Sequence, residues 1–268
     1  MHLLLTLLLT LLLSIPLLAT AGGISGNRRV RHINARDAGA LLVYDARHLT
    51  GLADGDAVST WPSRGTSAND LTQTSTQRPL YKVGIQGGQP VVRFDGSNDV
   101  LSSTSTIATP ATFCIISVFK ASNGGTTYTR GALFTDAGQI EMLGSINATI
   151  WVNGNGSYTT NASGKNLTSN WAADSTWRVS AHVCNATHAS HSIYLNGVAP
   201  SLTNYSSFTN NPSTGTALMM RVGARNGSGT NPLNGDFAAF IYWPIFPSSP
   251  LIQRFNDSTG YAFKIKQR

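Results

Sequence analysis

The sequence is short of charge, of glutamate and of cysteine. Only 12% of its 268 residues are Asp, Glu, Lys or Arg, about half the usual share, so its surface is built largely from Ser, Thr, Asn and Gly. That excludes a charge-rich helical bundle, a coiled coil and a disordered polyelectrolyte. Of the 12 acidic residues, eleven are Asp and one, Glu141, is Glu. Hydrolases that pair two Glu side chains as acid and nucleophile are excluded by that count, whereas an Asp pair stays open. Also missing are the G-x-S-x-G elbow, H-E-x-x-H, the P-loop and G-x-G-x-x-G. Ser, His and Asp are present, but no spacing singles out a triad. The sequence therefore nominates no catalytic residue, and the expectation is a protein that is not an enzyme.

The formal charge is +7. Arg28, Arg29 and Arg31 supply three of those charges, and the remaining +4 (7 − 3) is too weak a bias to argue for nucleic acid. The two cysteines, Cys114 and Cys184, each lie in an apolar strand-like run. In an oxidising compartment they would close one long loop as a disulfide. The alternative is two buried thiols acting as small hydrophobes.

What is abundant is leucine at the start. Residues 1–21, MHLLLTLLLTLLLSIPLLATA, end in the small-x-small triplet Ala19-Thr20-Ala21. They read as a signal peptide lacking the usual basic n-region, with an uncleaved N-terminal anchor as the alternative. Cleavage after Ala21 leaves 247 residues (268 − 21), enough for one large β domain. Eight Asn-x-Ser/Thr sequons follow, at Asn147, Asn155, Asn161, Asn166, Asn185, Asn204, Asn226 and Asn256. They fit a secreted or extracellular surface protein, with no membrane segment beyond the leader.

After residue 40 the pattern is period-two alternation in β-branched and aromatic runs. Strands are expected at 40–45, 58–61, 90–94, 113–119, 132–135, 140–143, 148–152, 177–184, 191–195, 219–224 and 237–245. Turn signals separate them at Asp54-Gly55, Asp95-Gly96, Asn123-Gly124-Gly125, Asn153-Gly154, Asn196-Gly197 and Asn234-Gly235. Many short strands without long helical periods predict an all-β antiparallel sandwich or barrel. One short helix is expected after Ser248-Ser249-Pro250. Residues 22–39 read as an exposed arm and 40–268 as one domain.

Tyr44-Asp45-Ala46-Arg47, Thr60-Trp61-Pro62, Asn69-Asp70-Leu71-Thr72, Arg78-Pro79-Leu80-Tyr81 and the run from Gly88 to Leu101 resemble the concanavalin A-like, laminin-G-like jelly-roll modules. The core strand Phe113–Phe119, the later Trp177–Cys184, the hairpin Ser192-Ile193-Tyr194-Leu195-Asn196-Gly197 and the closing run Leu233–Tyr242 continue the likeness. It spans roughly residues 40–265 and implies a two-sheet sandwich with a small C-terminal helix. It fixes no function, because this fold hosts lectins, glycosidases, adhesion modules and structural decorations. Where the family usually carries Glu in its closing strand, this chain has Ala239. Enzymes of this fold that cut β-glucans place two Glu around an Asp on one strand face. Here Gln139-Ile140-Glu141-Met142-Leu143 supplies one acid.

The resemblance also implies calcium, a hard cation held by rim-loop oxygens. Asp95, Asn98 and Asp99 have the right donors, with Asp54 and Asp56 as a second choice. The alternative is that Asp and Asn before Gly simply form turns. His182 and Cys184 share one face of an expected strand, and His188 and His191 are expected to straddle the turn that follows. Together they would suit zinc if the hairpin gathered them, and read otherwise as incidental polar positions. Tyr128, Trp151, Tyr158 and Trp171 lie in or beside Gly/Asn/Thr-rich segments, where a ring would be free to stack on a sugar. Tyr44, Trp61, Trp177 and Trp243 read as core. The leading expectation is a non-enzymatic module whose partner is a glycan or a cell-surface or virion ligand. The alternatives are a virion, fibre or envelope component that self-associates as a homo-oligomer, and, behind it, a polysaccharide hydrolase or lyase.

Overall fold

The computed structural model describes residues 39–108, 112–121, 129–130, 140–145, 151–154, 165–167, 176–185, 187–196, 202–204, 217–224, 227–229 and 232–245, with side chains for part of these. All lie within the unit Arg31–Arg268. Sixteen strands occur among them. The first eight are β1 Leu42–Asp45, β2 Thr60–Trp61, β3 Leu71–Thr72, β4 Leu80–Gln86, β5 Gln89–Asp95, β6 Leu101–Ala108, β7 Thr112–Ala121 and β8 Thr129–Arg130. Then come β9 Ile140–Ser145, β10 Trp151–Gly154, β11 Lys165–Leu167, β12 Arg178–Asn185, β13 Thr187–Leu195, β14 Leu202–Asn204, β15 Ala217–Val222 and β16 Asn234–Trp243.

Two principal antiparallel sheets form the expected all-β sandwich. One has seven strands in the order β13-β12-β7-β16-β5-β4, with β1 also pairing β16, and the other has four in the order β15-β6-β3-β2. Strand alternation sends Phe113, Ile115 and Phe119 of β7 to one face of the larger sheet. There they meet Tyr44, Phe94, Phe237, Phe240 and Tyr242 from its other strands, and Trp61, Leu71, Leu101, Met220 and Val222 from the smaller sheet. Tyr44 and Trp61 meet edge to face across this core, their centroids 6.0 Å apart. Tyr44, Trp61 and Trp243 are buried as expected, at 0%, 0% and 1% exposure.

The larger sheet is apolar and buried on its other face too. Val43, Val91, Cys114, Ile116, Val118, Val179, Ala181, Ile241 and Trp243 form a second cluster there. Central strands β7 and β16 are thus buried on both sides, which is why they read as nearly continuous apolar runs in the sequence. One irregularity matters below. The pairing of β16 with β7 slips between Phe237 and Ala239, leaving Ala238 as a bulge.

Three expectations are corrected. Asn234-Gly235 is not a turn but the opening of β16, and a Cβ on Gly235 would stand 2.2 Å from the Lys120 carbonyl oxygen. Glycine is there for close strand approach. Asn153-Gly154 likewise closes β10 rather than forming a turn. His188 and His191 do not straddle a loop: both lie within β13, because the β12–β13 hairpin turns tightly, with Asn185 opposite Thr187. Strands β3, β4, β6, β8, β11 and β14 went unread. The helix expected after Ser248 and the strand expected at 132–135 lie outside the described residues.

Cys114 is a free, buried thiol, and burial pushes its ionisation far up. The register sets Cys114 opposite Val183 and Cys184 opposite Phe113. The two cysteine positions are therefore offset by one residue, which in an antiparallel pair means opposite faces.

Candidate functional site

The apolar outer face of the larger sheet gives way to charge along one row. Pairing register sets Leu80 of β4 opposite Arg93 of β5, Arg93 opposite Asp236 of β16, and Asp236 opposite Lys120 of β7. Trp177, immediately before β12, continues the row, since Arg178 stands opposite Phe119. Arg93 donates from Nε to Asp236 Oδ1 at 2.7 Å and from Nη2 to Oδ2 at 3.0 Å. Lys120 Nζ reaches the same Oδ2 at 2.9 Å. Asp236 is 1% exposed, yet both its oxygens are met by cations, the condition for keeping a carboxylate charged in an interior. Its hydrogen bond raises the Arg93 pKa further. Lys120 Nζ also lies 5.7 Å from the centroid of the half-buried Trp177 ring, a cation–π contact. Beyond Arg93, Asp54 accepts from Lys82 Nζ and from the Val83 N–H, and these hold its carboxyl below the usual range.

One step along β5 from this row is the rim loop carrying Asp95, Asn98 and Asp99. Asp99 Oδ2 accepts the Asp95 N–H at 2.9 Å, and Asp95 Oδ1 accepts the Ser97 N–H at 2.7 Å. Asp99 is only 4% exposed. Burial, with the Asp95 carboxylate beside it, pushes its pKa up to about 6 against the opposing backbone hydrogen bond. The loop is gripped from below by glycines. A Cβ on Gly229 would stand 2.4 Å from the Asn98 carbonyl oxygen, and one on Gly223 would stand 2.1 Å from the Phe94 ring.

Of the expected calcium ligands, Asp95 and Asp99 come together, while Asn98 is exposed. Both carboxylates already serve the loop's own N–H groups, and burial with the Asp95 charge beside it raises the Asp99 pKa. Among the described residues no three His, Cys, Asp or Glu side chains are grouped to hold a metal. As arranged, the two carboxylates are occupied by the loop's own N–H groups rather than opened to a cation. Asp54 and Asp56 are likewise engaged, Asp56 Oδ2 by the Ala53 N–H at 2.7 Å.

Tyr128, Tyr158 and Trp171 lie outside the described residues, as do Asn147, Asn155, Asn161, Asn226 and Asn256. Trp151 is on β10, and Asn166, Asn185 and Asn204 are on β11, β12 and β14, where only the backbone is described. His182 and Cys184 are on β12 under the same limit. No helix among the described residues is long and apolar enough to cross a membrane.

Sequence reading missed the Arg93–Asp236–Lys120 row. Its one signal was an Asp set inside an apolar strand run, Gly235-Asp236-Phe237-Ala238, where an unpaired charge would be prohibitive.

No family model matches the sequence, and no curated protein matches it. Solved structures do match. The receptor-binding domain of botulinum neurotoxin D superposes with a TM-score of 0.56 at 10% identity, covering 84% of this chain and 54% of that one. The binding domain of Paraclostridial Mosquitocidal Protein 1 gives 0.57 at 9%, covering 84% and 53%. A Trypanosoma rangeli sialidase in complex with sialic acid gives 0.54 at 13%, covering 86% and 34%. This chain therefore spans about half or less of each. At such identities the likeness is one of fold: an all-β sandwich shared with receptor-binding domains and with part of a sialidase.

Proposed function

We propose that the chain is an exported or surface-displayed laminin-G-like sandwich that holds a glycan or another cell-surface ligand and does not turn it over. The observation that carries this reading is the employment of its acids. Seven of the eleven Asp lie among the described residues, and each has a partner. Asp45 pairs with Arg47, Asp54 with Lys82 and Asp236 with Arg93 and Lys120. Asp56, Asp70, Asp95 and Asp99 accept backbone N–H groups. Here aspartate acts as a fastener of loops and rows. The two carboxyls that do meet, Asp95 and Asp99, sit in one tight loop, each already holding one of that loop's backbone N–H groups. Glycosidases separate theirs by roughly 5–9 Å to admit a sugar bond or a water. The superposable toxin domains, described as binding or receptor-binding, support the same reading by analogy of fold.

The test is a glycan array and cell-binding assay on the purified chain, with a parallel assay for new reducing ends. Selective binding without release is the expected result. Release of sugar that disappears on Asp99→Asn would overturn it, as would silence on both glycans and cells.

A further inference from the structure

We propose that the row Arg93–Asp236–Lys120–Trp177 is a binding site for an acidic oligosaccharide, one carrying carboxylate or sulfate groups. This deepens the binding-module reading and rests on it.

Charge and exposure are layered in this row. The carboxylate of Asp236 is 1% exposed, while the side chains of Lys120 and Arg93 are 21% and 39% exposed. A molecule arriving from solvent therefore meets two cations whose shared anion lies beneath them. One negative and two positive charges leave the trio at +1; of the acids flanking it, Asp54 is already paired with Lys82, and Asp95, one step along β5, accepts the Ser97 N–H. Arg93 spends Nε and Nη2 on Asp236, leaving the two N–H groups of Nη1 for an incoming oxyanion. Asp236 also fixes both side chains in place, so little rotamer entropy is lost on binding. The half-buried Trp177 ring packs against the outer apolar cluster and carries the Lys120 ammonium over its face, which helps to hold that cation at the margin of the row.

Folding by itself does not call for this row. Its neighbours on the same face, Val91, Val118 and Val179, are apolar and fully buried. A buried ion cluster is typically no better for stability than apolar side chains of like volume. A cationic row kept partly open at the margin of an apolar face is what recognition of an anion requires.

The experiment uses the full chain and three probes: a carboxylated polysialic oligomer, a sulfated heparin oligosaccharide and neutral maltohexaose, each titrated by calorimetry. At least one acidic probe is expected to bind, maltohexaose is not, and added salt should weaken the interaction. Lys120→Gln and Trp177→Ala should each weaken it about tenfold or more, while Arg64→Gln, at an exposed position elsewhere, should leave it unchanged. Urea melts show which variants fold. Should Lys120→Gln fail to fold, the Arg93 guanidinium NMR resonances of the unsubstituted protein read the same contact and must shift on saturation. Which acidic probe binds distinguishes carboxylate from sulfate recognition. Acidic binding that ignores Lys120 and Trp177, with Arg93 resonances unmoved, overturns this site and leaves the module reading standing. So does binding of neutral glycans alone. Silence towards every glycan and cell surface removes the module reading as well.

Discussion

Replacing Asp99 with Asn should make the protein more stable at neutral pH and less sensitive to pH. The Asp99 carboxyl is 4% exposed, and its pKa is pushed from 3.8 up to about 6 by burial and by the Asp95 carboxylate. The folded state thus holds this proton more tightly than the unfolded chain does. Stability from the site is fully present below pH 3.8, declines as pH rises through the window from 3.8 to about 6, and is absent above it. A shift of about two units, at 1.36 kcal/mol per unit, sets an upper bound of about 3 kcal/mol on that loss. Asn keeps an oxygen for the Asp95 N–H, carries no charge to desolvate, and offers an N–H2 to the Asp95 carboxylate. Urea denaturation of both proteins at intervals from pH 4 to pH 8 reads the difference directly, since all other titrating groups are common to the pair. The gap in favour of Asp99→Asn should open with rising pH and level off near pH 7, at about 1–3 kcal/mol. Parallel curves, or a gap that closes as pH rises, would refute the electrostatic account of this loop.

Asp236→Ala strips the partner from two cations held in a sheet, and should cost about 3–5 kcal/mol in urea denaturation. Ser117 and Ser180 stand opposite one another on β7 and β12, each buried with its hydroxyl unpartnered. Ser117→Ala or Ser180→Ala should accordingly be neutral or stabilising by up to about 1 kcal/mol, where a buried, bonded serine would lose stability. Iodoacetamide labelling mapped by mass spectrometry should modify Cys114 in urea and spare it in the native protein, because its thiol is buried and hard to ionise. Rapid native labelling, or a Cys114–Cys184 peptide surviving without reductant, would contradict that.

The strands legible in the sequence were those whose face pattern is written in hydrophobicity. Phe113–Phe119 and Phe237–Trp243 are apolar on both faces and could hardly be missed. Strand β6, Leu-Ser-Ser-Thr-Ser-Thr-Ile-Ala, looks like a loop because its inward residues include serine. Ser103 is 2% exposed and earns its burial by donating to the Ser105 carbonyl and accepting the Met220 N–H. Strand β4 carries Lys82 and Gly84 and ends at the two-residue turn Gly87-Gly88, both with positive φ. The rim loop was found because its chemistry is local: Asp95 and Asp99 are four residues apart. The charged row stayed hidden because Arg93 and Asp236 are 143 residues apart in sequence, and only the pairing of β5, β16 and β7 makes them neighbours.

The extra residue at Ala238 decides more than a local twist. Asp236, Phe240 and Tyr242 are all even-numbered, so an unbroken strand would aim them the same way. The buried acid would then sit among the aromatic rings between the sheets, or those rings would be turned out beside the salt-bridged trio. A single spare position changes the parity midway, letting one ten-residue strand supply an ionic fitting on one side and an oily filling on the other. Deleting Ala238 would take only one small side chain from the outer cluster, yet it would set those two uses of the strand against each other.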